Sequence, residues 1–359
     1  MQTYILLFLF NLITIPVYLA NHKSYLTMNI IPLWIIMAFR GIRVGNDTIS
    51  YSNIFYQADI TKIPMHFVNW FAPVHDARFE NGFLILCKAV YNISPNFRLM
   101  LVTTTTIMLS CLVFFMVKLN VNYVIGFLTY ESLFMPFSMN AMRQALAISL
   151  CLVAFVYLMQ NRIVFFLLFN FLAITMHVTA WLFLFTLVYR YTKEGWKSKT
   201  ILITFMLCVS IFFEEIYTKI SSISDEASMF SNSVANNNLN GSLNIIYSVL
   251  IIFLVLIWLR HYKKRVNFDK NKLIENAQLL LLTAITFYII ALKFSQIARI
   301  ATYFTIGYYP IFSLLVGGKD LKGKRTIEFI IVCAYLIINF IFIQYNRPEW
   351  SGITPYSFG

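Results

Sequence analysis

The sequence predicts an all-α, polytopic membrane protein, and three observations lead to this fold class. Hydrophobic residues make up 59% of the 359 residues and charged residues only 12%, which is about half the charge that soluble domains carry. Apolar runs recur at close to the roughly 20-residue length of a bilayer-spanning helix. These runs do not alternate polar and apolar residues as barrel strands do, so only helices can satisfy their backbone hydrogen bonds in lipid.

Most of the apolar runs are read as simple crossings of a bilayer. They cover residues 4–20, 25–39, 97–117, 121–138, 141–159, 201–217, 243–259, 277–292, 297–316 and 327–345. Residues 4–20 are read as a retained span because they lack the basic start and the small-residue cleavage site of a secretory signal. We expect a single transmembrane domain that covers residues 1–359.

Two further apolar stretches do not fit a simple crossing. Residues 82–93 are short and contain Lys88, whereas residues 163–189 are too long and have basic residues at both ends. Re-entrant or broken helices in these two stretches would preserve the orientation of the flanking spans. Irregular backbone at membrane depth is tolerated only where protein or a water-filled cavity surrounds it. We therefore expect both stretches to line such a cavity.

The distribution of charge predicts the orientation of the chain in the membrane. The net charge is +13, but the basic residues cluster in the connectors 190–199, 260–272 and 319–325. The positive-inside rule places these connectors in the cytoplasm, and we expect no nucleic-acid partner. The loop regions 40–80 and 218–242 then lie outside, on the periplasmic face.

Some arginines lie where charge is costly, at the ends of predicted spans. They are Arg40 and Arg43 after the second span, Arg143 at the start of another, and Arg299 just inside a third. A charge at the bilayer centre costs about 2.5–3.5 kcal/mol, so such residues are candidates for function. Guanidinium groups suit phosphate oxygens, and the predicted orientation brings all of these arginines to the outer face, which favours an anion site. The alternative is that each side chain extends to the membrane interface.

The candidates for proton transfer are one histidine and two carboxylates. His177 lies inside the long stretch 163–189, while Asp47 and Glu80 flank the outer loop. A histidine there can instead serve helix packing, and loop carboxylates are commonly solvated. The chain has no DxD pair, no HExxH and no nucleotide-binding loop, so we expect metal-independent chemistry without a cofactor.

Several short motifs follow one another in a recognisable order. They are "RVGNDTISY" with Arg43, Gly45, Asp47 and Tyr51, then "ENGF" with Glu80, "MRQALAISL" with Arg143, "HVTA" with His177, "RIATYF" with Arg299, and "TPY" near the end. In this order, and over nearly the whole chain, they resemble the Wzy-type polysaccharide polymerases of the EpsG-like family. The first motif has a slightly shorter spacing than the family pattern.

This resemblance implies a bacterial inner-membrane glycosyltransferase with a GT-C-like architecture. Such an enzyme joins oligosaccharide repeat units carried on undecaprenyl pyrophosphate, at the periplasmic face, as in the synthesis of O-antigen or capsule. The lipid-linked oligosaccharide is both donor and acceptor, and a chain-length regulator protein is a further implied partner.

The resemblance also suggests roles for individual residues. The predicted pyrophosphate ligands are Arg40, Arg43, Arg143 and Arg299, which would stabilise charge on the leaving group. The predicted proton acceptors are Asp47, Glu80 and His177. The predicted sugar-stacking residues are Tyr51, Trp70 and Phe71, for which anchoring at the membrane interface is the alternative.

Two other functions use the same lipid-linked sugar. A flippase also needs basic residues in a membrane cavity, but it is expected to show paired halves and charges at several depths. The unusual charges of this chain collect at one predicted face and its halves do not match, which favours an enzyme. An O-antigen ligase uses the same donor, and only the family motifs distinguish it from a polymerase.

Overall fold

The computed structural model of the chain describes residues 1–57, 79–190, 204, 239–266, 272–318 and 325–359. Within these residues helices joined by turns and irregular segments are the regular secondary structure, apart from one isolated antiparallel bridge between Arg40 and Phe358. The predicted all-α fold class is therefore confirmed. The chain forms two compact units, one of Met1–Trp181 with Phe312–Gly359 and the other of Leu182–Ile311.

The described part contains six helices that are long and apolar enough to cross a membrane. They are Gln2–Ala20, Phe97–Lys118, Met142–Met159, Ser242–Lys263, Lys272–Ala291 and Thr326–Asn346. Each coincides with a predicted span, and the chain is a multi-pass membrane protein. The predicted span 201–217 lies outside the described residues, as does most of the predicted loop 218–242.

The α-helices of the described residues are numbered here in chain order. They are α1 (Gln2–Ile13), α2 (Ile15–Ala20), α3 (His22–Ala38), α4 (Thr48–Tyr56), α5 (Asn81–Ile93), α6 (Phe97–Lys118), α7 (Tyr123–Thr129), α8 (Met135–Asn140), α9 (Met142–Met159), α10 (Ile163–Met176), α11 (Leu239–Val266), α12 (Lys272–Ala291), α13 (Ala298–Phe304), α14 (Tyr308–Leu315), α15 (Thr326–Asn346) and α16 (Pro348–Ser351).

The predicted crossing 121–138 is divided in the structure. A π-helical turn, Tyr130–Phe134, separates α7 from α8. Pro136 follows this turn, and because proline has no N–H, the carbonyl of Ser132 lacks the donor that a regular α-helix would supply. The hydroxyl of Ser132 donates a hydrogen bond to the carbonyl of Leu336 at 2.6 Å, which ties the irregular turn to α15.

The two stretches that did not fit a simple crossing form short helices. Residues 82–93 lie in α5, which has 13 residues. The long stretch 163–189 is broken, because α10 ends at Met176 and a 3-10 helix, Val178–Arg190, follows it. The break lies at His177, whose backbone is extended with φ −158° and ψ 123°. The predicted broken helix is thus observed, while the cavity beside it stays a prediction.

The second unit has its own apolar core, in which residues of α11 and α12 pack against the following turn. The core consists of Ile245, Ile290, Ala291, Phe294 and Ile297. The predicted crossing 297–316 is divided into α13 and α14 by a 3-10 turn, Thr305–Gly307. Pro310 lies in the first turn of α14, where its missing N–H costs no intrahelical hydrogen bond.

Candidate functional site

Glu80 is the centre of a buried polar cluster at the N-terminus of α5. Its side chain is 2% exposed. Its Oε2 accepts a hydrogen bond from Nη1 of Arg143 at 2.5 Å. Its Oε1 accepts the backbone N–H of Val178 at 2.9 Å and lies 3.1 Å from Nδ1 of His177. The structure therefore brings together three predicted site residues, Glu80, Arg143 and His177, which we name the Glu80 cluster.

The break after α10 provides two of these contacts. Because the extended backbone of His177 ends the helix, the N–H of Val178 has no partner within α10 and is left to bond elsewhere. That N–H donates to Oε1 of Glu80, and Nδ1 of His177 lies 3.1 Å from the same oxygen. A continuous helix through residues 163–189 would have used the N–H in its own ladder, so the irregular backbone is what makes the site.

Gly82 allows α5 to approach the end of α10. A Cβ at Gly82 would lie 2.6 Å from the backbone oxygen of Thr175 and closer still to its Oγ1. Such a contact with backbone cannot be relieved by a rotamer change. The glycine of the "ENGF" motif is therefore required for the packing that places Glu80 against His177.

Arg143 lies over an aromatic wall on the other side of Glu80. Its Cζ is 4.3 Å from the ring centroid of Phe79, a cation–π distance. It also interacts electrostatically with Tyr51 of α4, and the Tyr51 ring packs 5.7 Å from that of Phe83. The Arg143 side chain is 20% exposed, while its Nε is buried.

The charge state of Glu80 follows from its neighbours. Burial acts to raise the pKa of Glu80, while His177, Arg143 and the N–H of Val178 act to lower it. The lowering contributions prevail, and the pKa falls from its ordinary 4.5 to about 2. Glu80 is therefore a carboxylate at neutral pH and a weak base.

Asp47 and Arg43 lie in the loop that leads into α4. Asp47 is half-buried directly before Thr48, and its backbone N–H donates to Oδ1 of Asn140 at 3.1 Å. Arg43 is exposed. Gly45 has φ +95°, and a Cβ there would meet backbone atoms of Met139, so only glycine fits this turn. Asp47 directly precedes α4, and its carboxylate interacts electrostatically with Tyr51, which lies one helical turn further along the chain.

The C-terminal segment docks onto the same loop. The N–H of Gly45 donates to the carbonyl of Gly352 at 2.8 Å, and that of Asn46 donates to the carbonyl of Ser351 at 3.4 Å. The Asn46 side chain donates to the carbonyl of Glu349 at 2.7 Å. Residues 349–359, which we name the tail, thus hold the backbone immediately before Asp47.

Arg40 is buried behind this loop, at 2% exposure. Its Nη1 donates to the carbonyl of Met37 at 2.5 Å, and its Nε has no hydrogen-bond partner among the described residues. Its backbone pairs with Phe358 of the tail. A pyrophosphate could reach Arg40 only if the tail moved. The role of Arg40 as a pyrophosphate ligand stays a prediction, and it requires that movement.

The remaining predicted residues are distributed as follows. Arg299 is the second residue of α13, where it is exposed; it belongs to the second unit, and its role stays a prediction. Tyr51 is 6% exposed, so its ring could stack on a sugar only if neighbouring side chains moved. Trp70 and Phe71 lie outside the described residues.

Two residues that contact predicted site residues were not themselves predicted from the sequence. Phe79 directly precedes Glu80 and contacts Arg143; an aromatic next to the acidic residue of "ENGF" could have indicated it. Arg98 at the start of α6 donates to the carbonyl of Arg40 at 2.7 Å. Arg98 opens a span as Arg143 does, and that shared position could have indicated a role in the outer region.

Within the described ranges, no group of three His, Cys, Asp or Glu residues could hold a metal ion. The polar groups of the Glu80 cluster are an ion pair and an imidazole beside it. A guanidinium can bind anionic oxygen, and an imidazole can accept a proton. The site therefore suits the transfer of a group from a phosphate leaving group to a hydroxyl.

The EpsG family model matches residues 23–358, nearly the whole chain. The chain belongs to the EpsG family. EpsG-like proteins are Wzy-type polymerases, so the protein has a polysaccharide-polymerase-like, glycosyltransferase-like function. No curated protein and no solved structure matches the chain, and the GT-C-like architecture stays a prediction.

Within the first unit, residues from the motifs quoted above come together in two groups. Glu80, Arg143 and His177 form one polar cluster. Gly45 and Asp47 form the loop onto which the tail docks, and the tail includes the "TPY" motif. In each of these two groups, motif residues that are far apart along the chain lie close together in space.

Proposed function

We propose that the protein polymerises a bacterial surface polysaccharide, an O-antigen or a capsule, by joining oligosaccharide repeat units carried on undecaprenyl pyrophosphate. The observation that carries this proposal is the Glu80 cluster in a chain of the EpsG family. It combines a partly exposed guanidinium with an imidazole in a multi-pass membrane protein. A donor with a lipid tail and a pyrophosphate needs both a membrane setting and cations.

In the proposed reaction, the pyrophosphate of the donor binds Arg143. The guanidinium is held by Glu80 and by the Phe79 ring, so it meets the donor in a fixed orientation. A hydroxyl of the second lipid-linked unit attacks the anomeric carbon of the donor. The bond from that carbon to the pyrophosphate oxygen breaks, and the electron pair leaves with undecaprenyl pyrophosphate, whose developing charge the guanidinium stabilises.

Arg43 and Arg299 are proposed as further ligands of the same pyrophosphate, and both side chains are exposed. The acceptor proton passes to Asp47, Glu80 or His177. We place the reaction at the periplasmic face of the inner membrane, because the basic connectors are expected in the cytoplasm. A chain-length regulator is the proposed protein partner.

Deleting the gene tests the proposal, with the surface polysaccharide separated on a gel. We expect the ladder of polymer to be replaced by single repeat units on their final anchor. A normal ladder would contradict a polymerase. Loss of all surface sugar would favour a flippase, and polymer that accumulates on the lipid carrier would favour a ligase.

Complementation of the deletion strain tests the pyrophosphate ligands. We expect Arg143→Ala and Arg299→Ala to leave only single repeat units when the variant protein is present at the normal level. A full ladder with either variant would remove that arginine from the proposed site. Glu328→Gln, a charge change in the first turn of α15, serves as the control and should restore the ladder.

A further inference from the structure

The residues proposed as proton acceptors differ in how free they are to act. Both oxygens of Glu80 are occupied, Oε2 by Arg143 and Oε1 by the N–H of Val178 and the imidazole of His177. At 2% exposure, this carboxylate has no open direction toward an acceptor hydroxyl. Glu80 therefore holds other groups in place and does not itself take the proton.

Asp47 is also poorly suited to be the base. Its carboxylate makes no hydrogen bond within the described part of the chain, and it does not cap α4 with its side chain. A general base requires a fixed orientation toward the proton that it removes.

His177 has both an orienting partner and an open side. Its Nδ1 lies 3.1 Å from Oε1 of Glu80, and because a carboxylate oxygen can only accept, this contact is attractive in the tautomer that carries the proton on Nδ1. In the neutral ring the lone pair is then on Nε2. The side chain is 21% exposed although Nδ1 is buried, so the accessible part of the side chain lies away from the edge that faces Glu80.

We propose that His177 is the general base of the reaction, acting through Nε2, and that Glu80 is a positioning residue that fixes its ring. This assignment rests on the proposed function. The acceptor hydroxyl gives its proton to Nε2 as its oxygen bonds to the anomeric carbon, and the bond from that carbon to the pyrophosphate breaks. The imidazolium that forms is stabilised by the adjacent carboxylate, and it returns its proton to water after the product leaves.

The same carboxylate joins the two halves of the reaction. One oxygen of Glu80 holds Arg143, which binds the donor, and the other holds His177, which activates the acceptor. The two substrates are thereby fixed relative to each other by one side chain. Among the described residues, the titratable and charged groups around this cluster are Glu80 at the start of α5, Cys87 on α5, Arg143 on α9, and Asp47 and Tyr51 at α4.

The test is the pH dependence of polymer formation by the full-length protein in proteoliposomes supplied with lipid-linked repeat units. The wild-type turnover is expected to fall on the acid side as the base becomes protonated. No polymer from the wild type at any pH would overturn the proposed function itself, and this assignment with it. The outcomes for the variants described next test only the roles assigned to His177 and Glu80, and not the proposed function.

Variants of His177 and Glu80 are then compared. His177→Gln should lower the turnover by at least about a hundredfold and remove the acid limb of the profile. Glu80→Gln should lower the turnover and move the acid limb about one unit toward lower pH, because the imidazolium loses its neighbouring anion. Glu80→Asp retains the anion, so it should keep the limb at its wild-type position and restore part of the turnover.

A purely structural role for Glu80 would reduce the amount of folded protein and leave the acid limb where it is. An unmoved limb in folded Glu80→Gln would therefore overturn its positioning role. An acid limb that persists in His177→Gln and disappears in Asp47→Asn would overturn the choice of base. Size-exclusion profiles establish folding, and if Glu80→Gln does not fold, the profiles of His177→Gln and Asp47→Asn decide the choice of base.

Discussion

Oε2 of Glu80 lies 2.5 Å from Nη1 of Arg143, although 63 residues separate the two in the sequence. The carboxylate comes from the N-terminus of α5 and the guanidinium from the first turn of α9. Because Glu80 is 2% exposed, the pair is desolvated on the acidic side. Each partner therefore depends on the other for the compensation of its charge.

Removing one charge of the Glu80–Arg143 pair should destabilise the protein more than removing both charges. Arg143→Met leaves a buried carboxylate without its cation, and we expect a loss of about 3–5 kcal/mol in the free energy of unfolding. The double variant Glu80→Gln/Arg143→Met removes both charges and keeps an acceptor for the N–H of Val178, so it should recover most of that loss. Thermal unfolding in detergent measures the stability.

Activity should not follow stability in this pair of variants. Neither Arg143→Met nor the double variant retains the guanidinium, so both should leave single repeat units on the polysaccharide gel. A double variant with a full ladder would contradict a role for Arg143 in binding the donor. A stable single variant would contradict the dependence of Glu80 on Arg143.

The stability of the protein should depend on pH through Glu80. Its pKa is about 2 in the folded protein and ordinarily 4.5, so the ionised form stabilises the fold above pH 4.5 by on the order of 3 kcal/mol. This contribution disappears as the pH falls from 4.5 toward about 2. The difference in unfolding free energy between the wild type and Glu80→Gln should shrink over that range, and a constant difference would contradict it.

A methyl group at Gly82 should disturb the site. In a helix, alanine is favoured over glycine by roughly 0.5–1 kcal/mol, but here the added Cβ would lie 2.6 Å from the backbone oxygen of Thr175. We expect Gly82→Ala to lower the unfolding temperature and to reduce polymer formation at least tenfold, since an ångström of misplacement costs about a hundredfold in rate.

Gly126→Ala is the matched control for this change. A Cβ at Gly126 would meet the Sδ of Met116, which is the end of a flexible side chain and can move aside. Gly126→Ala should therefore unfold near the wild-type temperature and produce a normal ladder. Equal behaviour of the two variants would contradict the importance of close packing between α5 and α10.

Hydropathy predicted much of the fold but not its irregular turns. The predicted span 97–117 is α6, and the predicted span 141–159 is α9. The crossing predicted at 121–138 is divided at Tyr130–Phe134. Apolar composition indicates whether a segment prefers lipid, but a hydropathy average does not include local backbone effects such as the missing N–H of Pro136.

The composition of the site was predicted better than its arrangement. Glu80, Arg143 and His177 were each indicated by charge or polarity inside an apolar chain, but their mutual contacts depend on the packing of α5, α9 and α10. Arg40 is a second case in which the position of a residue in the sequence did not predict its contacts. Its place at the end of α3 indicated depth in the membrane, but not that the tail would cover it.

Docking of the tail should be required for activity. Gly352 has φ +62°, and a Cβ there would lie 2.9 Å from the backbone nitrogen of Asn46. Gly352→Ala therefore adds a contact with the loop before Asp47 to the strain of about 1–2 kcal/mol that a left-handed alanine carries. We expect faster proteolysis of the tail and less polymer.

Gly318→Ala separates the two effects of that substitution. Gly318 has φ +78°, so alanine is strained there too, but nothing lies within 4 Å of the added Cβ. We expect Gly318→Ala to lose a comparable amount of stability and yet keep the tail protected and the ladder normal. If both variants lost polymer equally, backbone strain alone would explain the loss. If only Gly352→Ala loses polymer, the contact between the tail and Asn46 is what holds the loop of Asp47 in its working position.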